Sequence, residues 1–220
     1  MSKRSTIDEV YNILKSRILT CEYKPGQLIF EKEIVDELGV SRTPVREALN
    51  ILNGEGLLHI IPKKGIQITS LSVKKMKQIY EIRKILEPVS VSQAIRNIKP
   101  SHIEYLTNLD KTLRTGFDRS DVTDIFKYGM DIHLYIADLS GNEVLVSILK
   151  WLREESYRGY VYYLKQYMDR CTDDERKIVE EKTINNHSKI VEALKEGDEQ
   201  RAIKHVVEDL NIFIQFISDY

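Results

Sequence analysis

The 220-residue chain lacks the marks of several protein classes. It has only two cysteines, Cys21 and Cys171, far apart and without motif partners. Two thiols cannot build a four-cysteine zinc site or a disulfide framework, and the compartment expected for such a chain is the reducing cytoplasm. No run approaches the roughly 20 apolar residues that cross a bilayer, so no membrane partner is expected. The basic residues of Met1–Thr6 have no apolar stretch behind them, and no secretory leader is expected either. There is no repeat of 20–50 residues and no low-complexity tract. Prolines number five and glycines ten, and they are unevenly placed. Pro25, Pro44, Pro62 and half of the glycines fall within the first 65 residues, which leaves a long remainder with few chain breakers.

What remains is an ordinary globular composition, 42% apolar and 30% charged. The net charge of −1 speaks at first against a polyanion partner. It divides, however, into 12 basic and 9 acidic residues up to Lys75, and 21 against 25 beyond it. The two parts differ in sign. Length and punctuation together predict two domains, 1–70 and 71–220: a small one of short elements, then a helical bundle.

In the first domain, Val10, Leu14, Ile18 and Leu19 recur at helical spacing and predict a helix over 5–20. Pro25-Gly26 is a turn, Leu28-Ile29 a short extended piece, and 31–38 a second helix closed by Gly39. Ser41 offers its side-chain oxygen as cap of a third helix over 42–53, with Pro44 in the first turn. The β-prone runs Leu57–Ile61 and Ile66–Thr69 flank Pro62-Lys63-Lys64-Gly65 and predict a hairpin. Beyond Ser70 the pattern predicts six antiparallel helices over 72–98, 101–117, 120–139, 142–168, 173–196 and 198–218, with Pro88 inside the first and Pro100 as its stop.

Two short helices joined at Leu38-Gly39-Val40-Ser41, the second beginning with basic residues, suit a helix-turn-helix followed by a wing. A recognition helix enters the major groove by its N-terminal end, so base-reading side chains must sit in its first turns. Those positions hold Arg42, Thr43 and Arg46, and the two arginines, four apart, share a face. Arginine donates two parallel bonds to the O6/N7 edge of guanine. Ser41 and Thr43 suit phosphate, and Lys63 and Lys64 at the hairpin tip add charge against backbone or minor groove.

The run Glu37-Leu-Gly-Val-Ser-Arg-Thr-Pro-Val-Arg-Glu-Ala-Leu49, with Pro25-Gly26 before it and Glu55-Gly56-Leu57 and Lys64-Gly65 after it, closely resembles the DNA-binding domain of the GntR family of bacterial transcription regulators. The resemblance covers about residues 8–69. It implies a winged helix whose DNA contacts fall at Lys32, Ser41, Arg42, Thr43, Arg46 and the wing around Lys64 and Gly65. At Lys32 the family more often has arginine, whose planar fork lysine lacks.

Residues 72–220 resemble the FCD ligand-binding domain of the FadR subfamily, nearest its six-helix, VanR-like group. The motifs are Glu81-Ile-Arg-Lys-Ile-Leu-Glu87, His133 followed by Leu139-Ser-Gly-Asn142, and His187 followed by Glu196-Gly-Asp198. Many such domains hold a divalent metal through one aspartate and three histidines. Here the aspartate position is Gly129, His133 and His187 match two histidines, the third falls at Asp209, and His205 lies one turn earlier.

Three readings stand side by side. His133, His187 and Asp209 could form a two-histidine, one-carboxylate site for Zn, Ni, Mn or Fe with positions open to an effector. The histidines could instead bind an organic acid directly, or both could be core residues. A carboxylate effector calls for arginine. Arg83 is indicated by motif, with an ion pair to Glu87 as its alternative, and Arg158 lies within a cluster of tyrosines.

Together these features predict a cytoplasmic, mainly α transcription regulator, acting as a repressor if it follows most of the family. A winged helix would read a palindromic operator as a homodimer, and an organic acid bound in the bundle would control it. The rivals are a regulator answering to metal alone and a metal-dependent hydrolase. The hydrolase needs a general base beside the metal, and no acidic residue or nucleophile stands at motif spacing for that role.

Overall fold

The computed structural model describes residues 3–119 and 122–217. The helix limits expected at residues 120 and 218 lie outside the described residues. The chain divides into two compact units, Met1–Ser72 and Val73–Tyr220.

The first unit contains α1 (Lys3–Leu19), β1 (Leu28–Ile29), α2 (Glu31–Leu38), α3 (Arg42–Gly54), β2 (Leu58–Ile61) and β3 (Gly65–Ile68). Its core follows from the apolar spacing. Val10, Leu14 and Ile18 bury one stripe of α1, and Val45, Ala48, Leu49 and Leu52 bury the facing stripe of α3. Ile66 and Ile68 point inward from β3 while Gln67, between them, stays exposed, as strand alternation requires. Each such side chain contributes about 1.5–3 kcal/mol when removed from water. Arg17 of α1 reaches Glu37 of α2, its Nη1 lying 2.9 Å from Oε2, and ties α2 to that core.

The hairpin forms as expected, and β1 adds a third strand, so the antiparallel sheet runs β1-β3-β2. Ser41 does stand at the N-cap of α3 in extended conformation, but its side chain makes no capping bond. The exposed hydroxyl is left facing solvent.

The second unit is made of α4 (Val73–Ala94), α5 (Pro100–Asp118), α6 (Val122–Leu139), α7 (Glu143–Met168), α8 (Asp173–Glu196) and α9 (Glu199–Phe216). Local chemistry sets the boundaries. Asn142 accepts from the Leu145 amide at 3.1 Å, and Asp198 accepts from that of Arg201 at 3.0 Å. Thr172 and Glu175 cap one another reciprocally, each side chain accepting the other's amide. α4 stops at Ala94, short of the expected 98, and Pro100 opens α5 where its missing N–H costs nothing. α4 packs against α6, α7 and α9, and α8 packs against α5 and α9. α4, α6, α8 and α9 together enclose the centre of the bundle.

Gly65 bears the sharpest steric constraint of the wing. Its φ is +120°, and a Cβ there would lie 2.9 Å from the Ile29 carbonyl oxygen and 3.2 Å from the Phe30 ring. Backbone cannot yield as a side-chain tip can. Gly65→Ala should therefore cost the first unit about 1–3 kcal/mol, read as a lower urea midpoint; an unchanged midpoint would contradict the constraint.

Candidate functional site

The first candidate surface lies on the winged helix. Lys32, Ser41, Arg42, Thr43, Arg46, Lys63 and Lys64 are all exposed, as polyanion contacts must be. Arg46 and Lys63 come together with Gly65 along a groove of about 320 Å³ between α3 and the hairpin, whose walls also include Glu31 and Asn50. Lys32, Ser41, Arg42, Thr43 and Lys64 do not line that groove. Lys63 holds φ at +63°, unusual for a side-chain-bearing residue, and this bends the tip. Sequence spacing does not reveal the partner of Arg46. Its Nε–H donates to Glu31 Oε2 at 2.8 Å, across α3 and α2.

The second candidate site is a cluster of buried charges in the bundle. Tyr80, Arg83 and Glu87 project inward from α4, Met130 and His133 from α6, Thr183 and His187 from α8, and Asp209 and Phe213 from α9. Arg83 is only 2% exposed. Its Nε donates to Glu87 Oε1 at 2.7 Å, Nη2 lies 3.1 Å from Met130 Sδ, and the guanidinium sits 4.7 Å from the centre of the Tyr80 ring. The ion pair expected as the alternative for Arg83 is thus present, and the same residue lines the cavity described below.

His133 lies between two carboxylates. Its Nε2 is 3.1 Å from Asp209 Oδ2. Its Nδ1 is 2.7 Å from Glu87 Oε2, an ion-pair contact off the line of a hydrogen bond. Burial pulls His133 toward the neutral form, but Glu87 and Asp209 outweigh it and carry its pKa up to about 9. Burial likewise pushes Glu87 up, and Arg83 and His133 overcome this to hold it at about 2. Asp209 is held below the usual carboxylate range against the same burial, by His187, His133 and Arg83.

His187 differs. Its Nδ1 lies 2.9 Å from the Thr183 carbonyl oxygen, one turn back along α8. A carbonyl only accepts, so Nδ1 carries a hydrogen, and in the neutral ring form this leaves the lone pair on Nε2. That Nε2 is buried and makes no hydrogen bond. It faces Gly129, where a Cβ would lie 3.3 Å away, so the glycine keeps the space beside it open.

The cluster surrounds a cavity of about 40 Å³ lined by Arg83, Gly129, His133, His187 and Asp209, with Tyr80, Phe126, Tyr160 and Phe213 forming an aromatic wall. Such a volume holds two or three waters or an ion. Ligand atoms of His133, His187 and Asp209 lie within 4.8 Å of one another. With a free Nε2, a tautomer fixed by Thr183 and a carboxylate behind His133, the residues fit a divalent cation, since histidine ligands commonly hold a backbone carbonyl or a carboxylate with their other nitrogen.

Arg158, also buried, does not line this cavity. Among its neighbouring tyrosines only Tyr160 does, while Tyr157 packs edge-on against Phe126. His205 pairs with Glu208 at 2.9 Å, and Asp131 with Arg153 at 2.9 Å, both away from the cluster. Glu87 and Thr183, which orient the two histidines, could be sought from sequence only by their helical spacing, Glu87 four after Arg83 and Thr183 four before His187.

Residues 6–68 match the family described as bacterial regulatory proteins, gntR family, and residues 78–211 match the FCD domain. The HTH-type transcriptional regulator YdhC of Bacillus subtilis (strain 168) is 29% identical over 204 residues, 92% of this chain and 87% of that protein. An HTH-type transcriptional regulator in the TAR-I ttuE-ttuC' intergenic region of Agrobacterium vitis is 32% identical over 125 residues, 56% of this chain and 73% of its own length. The solved structure of E. coli McbR/YncC, 24% identical, shares the fold with a TM-score of 0.74 over 100% of this chain and 99% of that one.

Removing one member of a buried ion pair strands the other. Glu87→Ala should destabilise the bundle by about 3–5 kcal/mol by leaving Arg83 unmatched, whereas Arg83→Met with Glu87→Leu should recover most of that loss. Urea unfolding of the three proteins checks this, and equal midpoints for Glu87→Ala and the parent would refute the pairing.

Proposed function

The chain belongs to the GntR family of bacterial regulatory proteins and carries its FCD domain, and from that premise we propose that this transcription regulator is an operator-binding repressor released by a small organic acid held in the helical unit. Repression is the expectation inherited from most of the family.

The observation that carries the sensing role is the buried, unpartnered His187 Nε2 facing a cavity shared with Arg83, His133 and Asp209. A bundle with no ligand to receive would bury apolar side chains there instead. His133, His187 and Asp209 would hold the cation. A first-row divalent ion would supply positive charge and positions open to an effector carboxylate. Arg83 would favour the same anion electrostatically. An organic acid larger than a few waters has to spread the helices, and this gives effector binding its differential affinity for two states.

Operator reading falls to Arg42, Thr43 and Arg46 in the major groove of the DNA, with Lys32, Ser41 and the wing residues Lys63, Lys64 and Gly65 on its backbone. One small winged helix reads too few base pairs, so a homodimer on a palindrome is proposed. Exposed apolar residues support it: Ile82, Ile85 and Val89 on α4, and Val144, Ile148 and Trp151 on α7, the helix α4 packs against. The link at 69–72, outside any helix or strand, is the proposed hinge. The cavity's small size favours one alternative, a regulator answering to the metal ion alone.

Two outcomes test the operator reading. Arg46→Ala should cost about 1–3 kcal/mol at one base position and relax selectivity there. Lys64→Ala should weaken all sequences alike and flatten the salt dependence by up to about one unit. Selection from random duplexes and binding titrations across salt measure both, and an unchanged site preference for Arg46→Ala would sink the assignment.

The sensing role is tested by His187→Ala, which should weaken Zn(II) binding about 100-fold or more while leaving operator affinity unchanged in the absence of effector. Chelated and zinc-loaded parent protein, titrated on operator DNA with a panel of small carboxylates, separates the readings. Release only when loaded supports the metal-held acid, release in both supports direct binding, and release by zinc alone supports the metal sensor. Operator binding indifferent to all of them would refute the sensing role.

A further inference from the structure

From the Glu31–Arg46 contact we infer that Glu31 is a positioning residue for base recognition, one that aims the Arg46 guanidinium at a guanine and keeps it off the phosphates. The inference rests on the operator reading above.

Glu31 is the first residue of α2, where the helix N-terminus favours a carboxylate. It is the less exposed partner, 28% against 62% for Arg46. Its Oε2 takes the Nε–H of Arg46 at 2.8 Å. Among the described contacts, the two terminal amino groups of Arg46 have no protein partner, so the edge of the fork that they form is free. Two parallel donors on that edge are what guanine O6 and N7 accept. Both residues line the same groove beside Lys63.

The helix N-terminus accounts for an acid at this position, but not for its reach across to Arg46, because an exposed ion pair contributes little to stability. The electrostatics make the position costly, because a carboxylate facing a polyanion opposes the sequence-independent part of binding. An untethered arginine on an exposed helix would add a phosphate contact, raising affinity for every sequence equally. Tethered at Nε, it keeps one orientation and gives up that general affinity for discrimination at one base pair. The helix α2 that carries the tether is itself fixed by Arg17 and Glu37.

The test uses the full-length protein and three variants, Glu31→Ala, Glu31→Gln and Arg46→Ala. Each is used to select from random duplex DNA, then titrated against its enriched site and against a scrambled duplex. Glu31→Ala should lose at least about five-fold in base preference at the position that Arg46→Ala abolishes, while its affinity for the scrambled duplex stays equal or rises. Glu31→Gln, whose amide oxygen still accepts the Nε–H, should keep the preference. If Glu31→Ala keeps the parent's preference, or loses affinity for both duplexes in the same proportion, Glu31 does not position Arg46. A parent that enriches no sequence overturns the operator reading and this inference with it, an outcome distinct from the other two.

Discussion

Burying Arg83, Glu87, His133 and His187 in the bundle, with Asp209 nearly so, obliges these side chains to satisfy one another. Each ion taken from water costs several kcal/mol unless matched. The matching is economical because each carboxylate serves two partners. Glu87 gives one oxygen to Arg83 and turns the other toward His133, while Asp209 divides its oxygens between His133 and His187. The members come from α4, α6, α8 and α9, so the network fixes the register of four helices at once. Sliding one helix by a turn of about 5.4 Å would strand charges on two others. Within that constraint, His133 Nδ1 and Glu87 Oε2 make no hydrogen bond but face each other as an ion pair, whereas His187 Nε2 has neither.

The winged helix works in the opposite regime. Its cations lie in water, where ion pairs are weak and quickly exchanged. Cations with no acidic partner among the described contacts, such as Arg42 and Lys64, can therefore engage a phosphate or a base at small cost, which a buried arginine such as Arg83 cannot do. The apolar core of that unit supplies the rigidity. Val45 and Leu49 anchor one face of α3, leaving Arg42 and Arg46 on the other. The chain's net charge hides this division, because an acidic bundle offsets a basic reading head.

The sequence was most legible where one residue fixes local geometry. Apolar periodicity and the breaks at Ser140-Gly141-Asn142 and Gly197-Asp198 placed the last three bundle helices to within two residues, and alternation around the proline-lysine tip placed the hairpin. It was less legible where two chemistries competed for one residue. Ser41 reads as a capping oxygen, yet it is exposed and its side chain makes no capping bond. Pro100 reads as a stop, yet it begins the next helix. At the bundle site, spacing and resemblance brought out His133, His187 and Asp209, which do lie together. Neither could show that Glu87 faces His133, that Arg158 misses the cavity, or that Gly129 matters for the space it leaves. Those are facts about distances between helices, and a one-dimensional pattern holds no information on them.

Charge balance inside the bundle bears on what can enter. With His133 protonated, as its position between two carboxylates favours, Arg83 and His133 offset Glu87 and Asp209. Adding an organic anion to a balanced, buried set leaves one negative charge unmatched in a medium far less forgiving than water. Either the anion arrives with a cation, or it displaces Asp209 from His133 and His187. The first route suits a divalent ion held by the same three residues, provided that His133 gives up its proton to become a ligand. The second breaks the polar link of α9 to α6 and α8, since Asp209 is the residue through which α9 joins both histidines. In both routes the newcomer changes which helix holds which charge. An uncharged ligand filling the same 40 Å³ would leave the network as it was. If the bundle senses a ligand as proposed, the requirement that buried charges be matched favours an ion over a neutral molecule.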